Sequence, residues 1–218
     1  MDKLRLRFEK TGRAVYISHL DLMATMQRGF ARAGYGLKYS EGFNPHPLIS
    51  ILLPLSVGMA SRCELMDFRL REAEANLAEM PARLTEVLPE GLIVRKAYPA
   101  ERKSAELKWL SVEGFWDYDL GSPGLKRLEE FFGRDNLEIE KKTKKGIGRT
   151  DIRPAIREIG FEAIPDGIRV KALVSAQDPT LNPELLVSAL RQLKPELTPD
   201  FAKFTRLETF DAQMNVYR

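Results

Sequence analysis

The chain begins with alternation: Leu4, Leu6 and Phe8 are separated by Arg5 and Arg7. A period of two places one set on a single face of a β-strand. The period then lengthens. Leu22, Met23, Met26 and Phe30 recur at helical spacing behind Ser18, whose hydroxyl suits an N-cap, and Asp21 completes a capping-box arrangement at the positive helix end. Gly34 is a natural stop. A short strand is expected near Leu37 to Tyr39, another from Leu48 to Leu53 ended by Pro54, and a third, irregular in its alternation, across Leu65, Met66, Phe68 and Leu70. Ala73 to Leu88 reads as a helix with Leu77, Met80, Leu84 and Leu88 on one side and a kink or break at Pro81. Gly91 to Tyr98 closes the series as a strand. The order strand, helix, strands, helix, strand is that of a split βαβ, ferredoxin-like unit.

Pro99 to Glu106 is charged and poor in apolar residues, which marks a boundary, and a similar rhythm follows it. Lys108 to Tyr118 is strand-like, Leu125 to Phe132 helical, and Leu137 to Thr143 strand-like again before a basic, glycine-containing turn. A short helix is expected from Asp151 to Ile159, with Pro154 near its start. Phe161 to Ile164 and Ile168 to Val174 form a hairpin around Pro165-Asp166-Gly167. Asn182, Pro183 and Glu184 supply a cap, a first-turn proline and an early acid for a helix carrying Leu185, Leu186, Ala189, Leu190 and Leu193. Phe204 to Phe210 is the last strand. The expected fold is therefore α+β: two tandem ferredoxin-like (split βαβ) halves with antiparallel sheets, the first over residues 1–100 and the second over 107–218.

Composition sets bounds on this picture. The 218 residues are 44% hydrophobic and 30% charged, enough for an ordered core. A single cysteine excludes an internal disulfide framework and fits a reducing, cytoplasmic setting. It also leaves no three-cysteine iron–sulfur motif, so a radical S-adenosylmethionine enzyme of the usual kind is not expected. The charged start does not suit a signal peptide, and the apolar runs are short for a bilayer, so no membrane contact is expected. The net charge of +3 is mild, but its distribution is uneven. Lys141, Lys142, Lys144, Lys145 and Arg149 crowd one turn beside Gly146 and Gly148, while Arg5, Arg7, Lys10 and Arg13 crowd the amino terminus. Such clusters can follow a phosphate backbone, although a charge run is more often a solvated face.

The candidate chemistry lies early in the chain. Both histidines, His19 and His46, fall in one N-terminal block. His19 sits in the first helical turn, where a neutral imidazole is favoured, and His46 lies between two prolines that stiffen its backbone. As an acid–base pair they are the candidates for metal-independent RNA cleavage, with Tyr16, Ser18 and Tyr39 near them in sequence. The possible metal ligands His19, Asp21, His46, Cys63, Glu64 and Asp67 show no recognised ligand spacing, so no metal and no cofactor are expected. Phe43, in Gly42-Phe43-Asn44-Pro45-His46-Pro47, is expected to plug the core, the alternative being a stacking face for a base.

Several of these pieces together carry a family resemblance: Leu6-Arg7-Phe8-x-Lys10-x-Gly12, Ser18-His19-Leu20-Asp21, Gly42-Phe43-Asn44-Pro45-His46-Pro47, Leu53-Pro54-Leu55-x-Val57-Gly58 and Glu64-x-x-Asp67. With looser matches at Asp151-Ile152-Arg153-Pro154 and Leu181-Asn182-Pro183-Glu184-Leu185, the chain resembles the radical-SAM-linked family, a bacterial domain of unknown function. Its members occur beside, or fused behind, a radical S-adenosylmethionine protein. The resemblance implies a partner of that kind and no particular reaction.

The resulting expectation is an accessory module, non-catalytic, that holds RNA or a ribonucleoprotein for such a partner. Arg5, Arg7, Arg13 and the Lys141 to Arg149 turn would neutralise phosphates, while Ser18, His19, Asn44 and His46 would orient the bound group. RNA cleavage centred on His19 and His46 is one alternative. A protein-interaction adaptor is the other, and it predicts an exposed apolar patch.

Overall fold

A computed structural model describes residues 3–71, 75–119, 121, 123–143 and 146–218. The chain divides into two compact units, Met1–Glu106 together with Arg218, and Leu107–Tyr217. Both mix helices with antiparallel strands, so the protein is α+β.

The first unit runs β1 (Leu4–Lys10), α1 (His19–Arg32), β2 (Ile49–Ile51), β3 (Ala60–Phe68), α2 (Met80–Val87) and β4 (Leu92–Pro99). Its strands lie in the order β4-β1-β3-β2, each antiparallel to its neighbour. Alternation on β1 delivers Leu6 and Phe8 to one face. There they join Met66 and Phe68 of β3, Leu92 and Val94 of β4, Leu22, Met26 and Phe30 of α1, and Met80 and Leu84 of α2 in one buried cluster. The Phe30 and Phe68 rings sit 4.9 Å apart. Gly29 lets the helices approach: a Cβ there would meet Leu88 Cδ2 at 2.7 Å. α1 ends in a Schellman motif, with Gly34 at φ +82° and the Tyr35 N–H donating to the Phe30 carbonyl at 2.9 Å.

Two expectations need correction here. Of the helix expected over Ala73 to Leu88, Ala73 and Glu74 lie outside the described residues; from residue 75 on the helix starts only at Met80, and Pro81 lies in its first turn instead of kinking its middle. Proline lacks only a donor that a first turn leaves unpaired anyway. The strand expected at Leu37 to Tyr39 is reduced to isolated bridges, Leu37 with Leu70 and Tyr39 with Pro47.

The second unit runs β5 (Trp109–Asp117), α3 (Leu125–Phe132), β6 (Glu138–Thr143), β7 (Gly146–Asp151), β8 (Ile156–Ile164), β9 (Gly167–Ser175), α4 (Glu184–Leu193) and β10 (Phe201–Phe210). Here β10-β5-β9-β8 repeats the strand order of the first unit, and β6–β7 is a separate hairpin inserted after the first helix. Buried Trp116 packs 6.3 Å from Phe132 and 5.8 Å from Phe161. The helix expected over Asp151 to Ile159 is instead a short 3₁₀ turn, Arg153–Ala155, followed directly by β8. A bulge between Ile156 and Glu158 shifts the register there. It breaks the period of two and leaves a spacing that imitates a helix.

Candidate functional site

The carboxylate of Asp67 organises the inner part of the N-terminal block. Arg5 on β1 faces it across the ladder and is fully buried, with Nε donating to Oδ1 at 2.6 Å and Nη2 to Oδ2 at 3.2 Å. Nη2 also donates to the Arg102 carbonyl at 3.0 Å, and Lys3 Nζ lies 2.8 Å from Oδ2. The expectation that Arg5 meets phosphate from the surface is therefore corrected: its guanidinium is a buried structural group. Cys63 and Glu64, both considered as ligands, are buried as well. Among the described residues no group of three or more His, Cys, Asp or Glu side chains is placed to hold a metal ion.

Lys10 is buried too. Its ammonium donates to the Val15 carbonyl at 3.0 Å, and burial pushes its pKa below the usual lysine value, opposed by the charge of Glu64. Arg7 is half-buried on β1, whereas Arg13 is exposed in the 3₁₀ turn Gly12–Tyr16.

The outer part of the block is solvent-facing. Ser18 caps α1, accepting from the Asp21 N–H at 3.2 Å and donating to Asp21 Oδ2 at 2.7 Å. This occupies both side chains and leaves His19 exposed at the helix start. His46 is exposed at the end of its loop, where a clamp holds it. The Ser40 hydroxyl lies 2.9 Å from Nδ1 and accepts from the His46 N–H at 3.1 Å, while the Ser40 N–H donates to the His46 carbonyl at 2.8 Å. With Lys3, Ser50, Asp67 and Arg69, His46 lines a cavity of about 390 Å³; His19 is not among its lining residues.

Asn44 is exposed beside Phe43, whose relative exposure of 106% overturns the expectation of a core plug. Gly42 at φ +118° and the following proline carry the chain outward, and no strand or helix folds the ring back. Each of the first-unit loop motifs presents an apolar side chain to solvent: Tyr16 at 74% and Leu20 at 78% around the helix cap, Phe43, and Val57 at 55%. Sequence reasoning missed Lys3, Arg69 and Ser40 as neighbours of His46. Lys3 and Arg69 arrive through the pairing of β3 with β1 and β2, which no local spacing announces, and Ser40 arrives through the isolated bridge of Tyr39 with Pro47.

The basic turn belongs to the second unit. Lys141 is exposed, and Lys142 lies on β6 opposite Ile147; Lys144 and Lys145 lie outside the described residues. Arg149 is exposed but sits 3.6 Å from Glu138 and 3.9 Å from Glu140 across the hairpin. These acids offset part of its charge.

The fold and these loops define an α+β domain whose prominent features among the described residues are exposed loop motifs. Residues 3–183 match a family described as "Uncharacterized protein conserved in bacteria (DUF2344)", and the chain belongs to that family. No curated protein matches it. Among solved structures, a protein described as unknown from Galdieria sulphuraria aligns over 94% of this chain and 98% of its own at 11% identity with a TM-score of 0.27. Among the described residues no helix is long and apolar enough to cross a membrane.

Proposed function

We propose that this protein is an accessory module that binds RNA or a ribonucleoprotein, with the loop at residues 41–47 as its contact. The observation that carries this reading is the complete exposure of Phe43. An aromatic ring held in water by a glycine- and proline-bounded loop gains nothing for the core, whereas it offers a stacking face to an unpaired base. Asn44 and His46 beside it supply hydrogen-bonding groups, and Lys3 and Arg69 bring cations to the cavity that His46 lines. The strand order common to both units supports reading them as two ferredoxin-like halves, an architecture whose sheets and loops serve RNA recognition in other proteins. A radical S-adenosylmethionine protein is the proposed partner, from the resemblance carried by the N-terminal motifs.

Fluorescence anisotropy with a labelled single-stranded RNA tests the reading. Binding should weaken as salt rises, and Phe43→Ala should weaken it about 5- to 150-fold, the worth of one base–aromatic stack. RNA binding that is absent, or indifferent to both salt and Phe43→Ala, refutes it. Exposed Tyr16, Leu20 and Val57 favour a second reading, a protein-interaction adaptor. A pull-down of the partner that survives nuclease treatment and is lost in Leu20→Ser selects that reading instead.

A further inference from the structure

A different cavity of the first unit, of about 500 Å³, opens beside the C-terminal half of α1 and the segment that follows it. Gln27 and Arg28 reach it from the helix, Tyr35 and Tyr39 from the segment, and Arg71 from beyond β3. Arg83 of α2 lies alongside, with its Cζ 5.2 Å from the Tyr35 ring centre.

The charges here are unbalanced. Three other arginines of this unit meet carboxylates: Arg5 with Asp67, Arg95 with Glu9, Arg102 with Glu106. Among the described residues Arg28, Arg71 and Arg83 meet none, and no acidic side chain lines the cavity. The carbonyl end of α1 favours nearby cations. It does not account for a carboxamide and two phenols around the same opening.

The donors are also preorganised. Arg71 stacks on Tyr39 at 5.5 Å and donates through Nε to the Leu37 carbonyl at 3.0 Å, which fixes its plane. Gln27 Nε2 donates to the Tyr39 hydroxyl at 2.9 Å, positioning that phenol. The Tyr35 hydroxyl is buried and has no hydrogen-bond partner among the described residues. Arg28 is exposed and unpaired among them, able to turn toward an incoming anion. A planar fork held by stacking, with a second guanidinium lining the same opening, matches the oxygens of a phosphate.

We infer that this cavity binds a phosphate ester, with the phosphate between Arg28 and Arg71. As a site for an RNA phosphate it rests on the function proposed above; as a site for a free nucleotide it stands apart from it. The full chain is titrated calorimetrically with a nucleoside monophosphate and with a short single-stranded RNA, in wild type, Arg28→Gln and Phe43→Ala. Arg28 is on the surface, so Arg28→Gln should unfold at the wild-type temperature, which thermal scans verify. Weakening of both probes by about tenfold or more in Arg28→Gln supports the site. RNA weakened also by Phe43→Ala identifies an RNA phosphate as the source. Nucleotide binding that responds to Arg28→Gln without any RNA binding identifies a free nucleotide and sinks the RNA reading alone. RNA binding lost in Phe43→Ala but intact in Arg28→Gln overturns the phosphate site and leaves the loop reading standing. Indifference of every probe to Arg28→Gln likewise overturns the site.

Discussion

Removing the Asp67 carboxylate should be among the most damaging single changes in the first unit. Its partner, the Arg5 side chain, has no exposed surface, whereas Lys3, the third member, is 41% exposed. At the 2.6 Å separation of Nε and Oδ1 the attraction is on the order of 6 kcal/mol with the effective dielectric suited to proteins, and desolvation offsets much of it. Asp67→Ala removes the attraction and leaves the desolvation cost in place, so the expected loss is about 3–5 kcal/mol. Lys3 contributes below about 1 kcal/mol, because water screens it. Urea unfolding should be followed by circular dichroism, since both tryptophans, Trp109 and Trp116, belong to the second unit and their fluorescence reports on it. The paired replacement Arg5→Met/Asp67→Leu should recover most of the stability, because no charge is then stranded. A loss below about 1 kcal/mol in Asp67→Ala, the range of a surface pair, would refute the reasoning.

Other outcomes follow from single groups. Ser18→Ala should cost about 1 kcal/mol in urea unfolding through loss of the α1 cap. Lys10 has a folded pKa below its unfolded one, so the unfolded chain binds more protons between the two values and stability should rise with pH across that window, toward pH 10.5. In Lys10→Met that alkaline rise should vanish from urea midpoints measured across the same range. Phe43→Ala, by contrast, should leave the urea midpoint unmoved, because no core contact is lost. Its effect belongs in the RNA titration.

Much of the architecture was legible because local chemistry and tertiary packing agree. The alternation of Leu4, Leu6 and Phe8, the Ser18 cap and the Gly34 stop each report a backbone preference, and the structure keeps all three. The interval Pro99 to Glu106 reads as a boundary because it is poor in apolar residues, and the chain divides into its compact units between Glu106 and Leu107. The failures have specific causes. Arg5 occupies the polar phase of its strand, and alternation cannot reveal that this side is covered or that its counter-ion lies on β3. Hydrophobicity alone sends Phe43 inward, although a short loop supplies nothing to bury it. In β8 a register shift disguised strand as helix. The cavity of Arg28 and Arg71 had no sequence signal, since its members come from separate segments with ordinary spacing.

The Ser40 clamp gives His46 a property that its position between prolines does not. The hydroxyl already accepts from the His46 N–H, yet it can still either donate to Nδ1 or accept from it. Rotation of one O–H bond therefore decides which tautomer the imidazole adopts. Nε2 is then a donor in one setting and an acceptor in the other. A single exposed ring can thus offer either polarity without any heavy atom changing place.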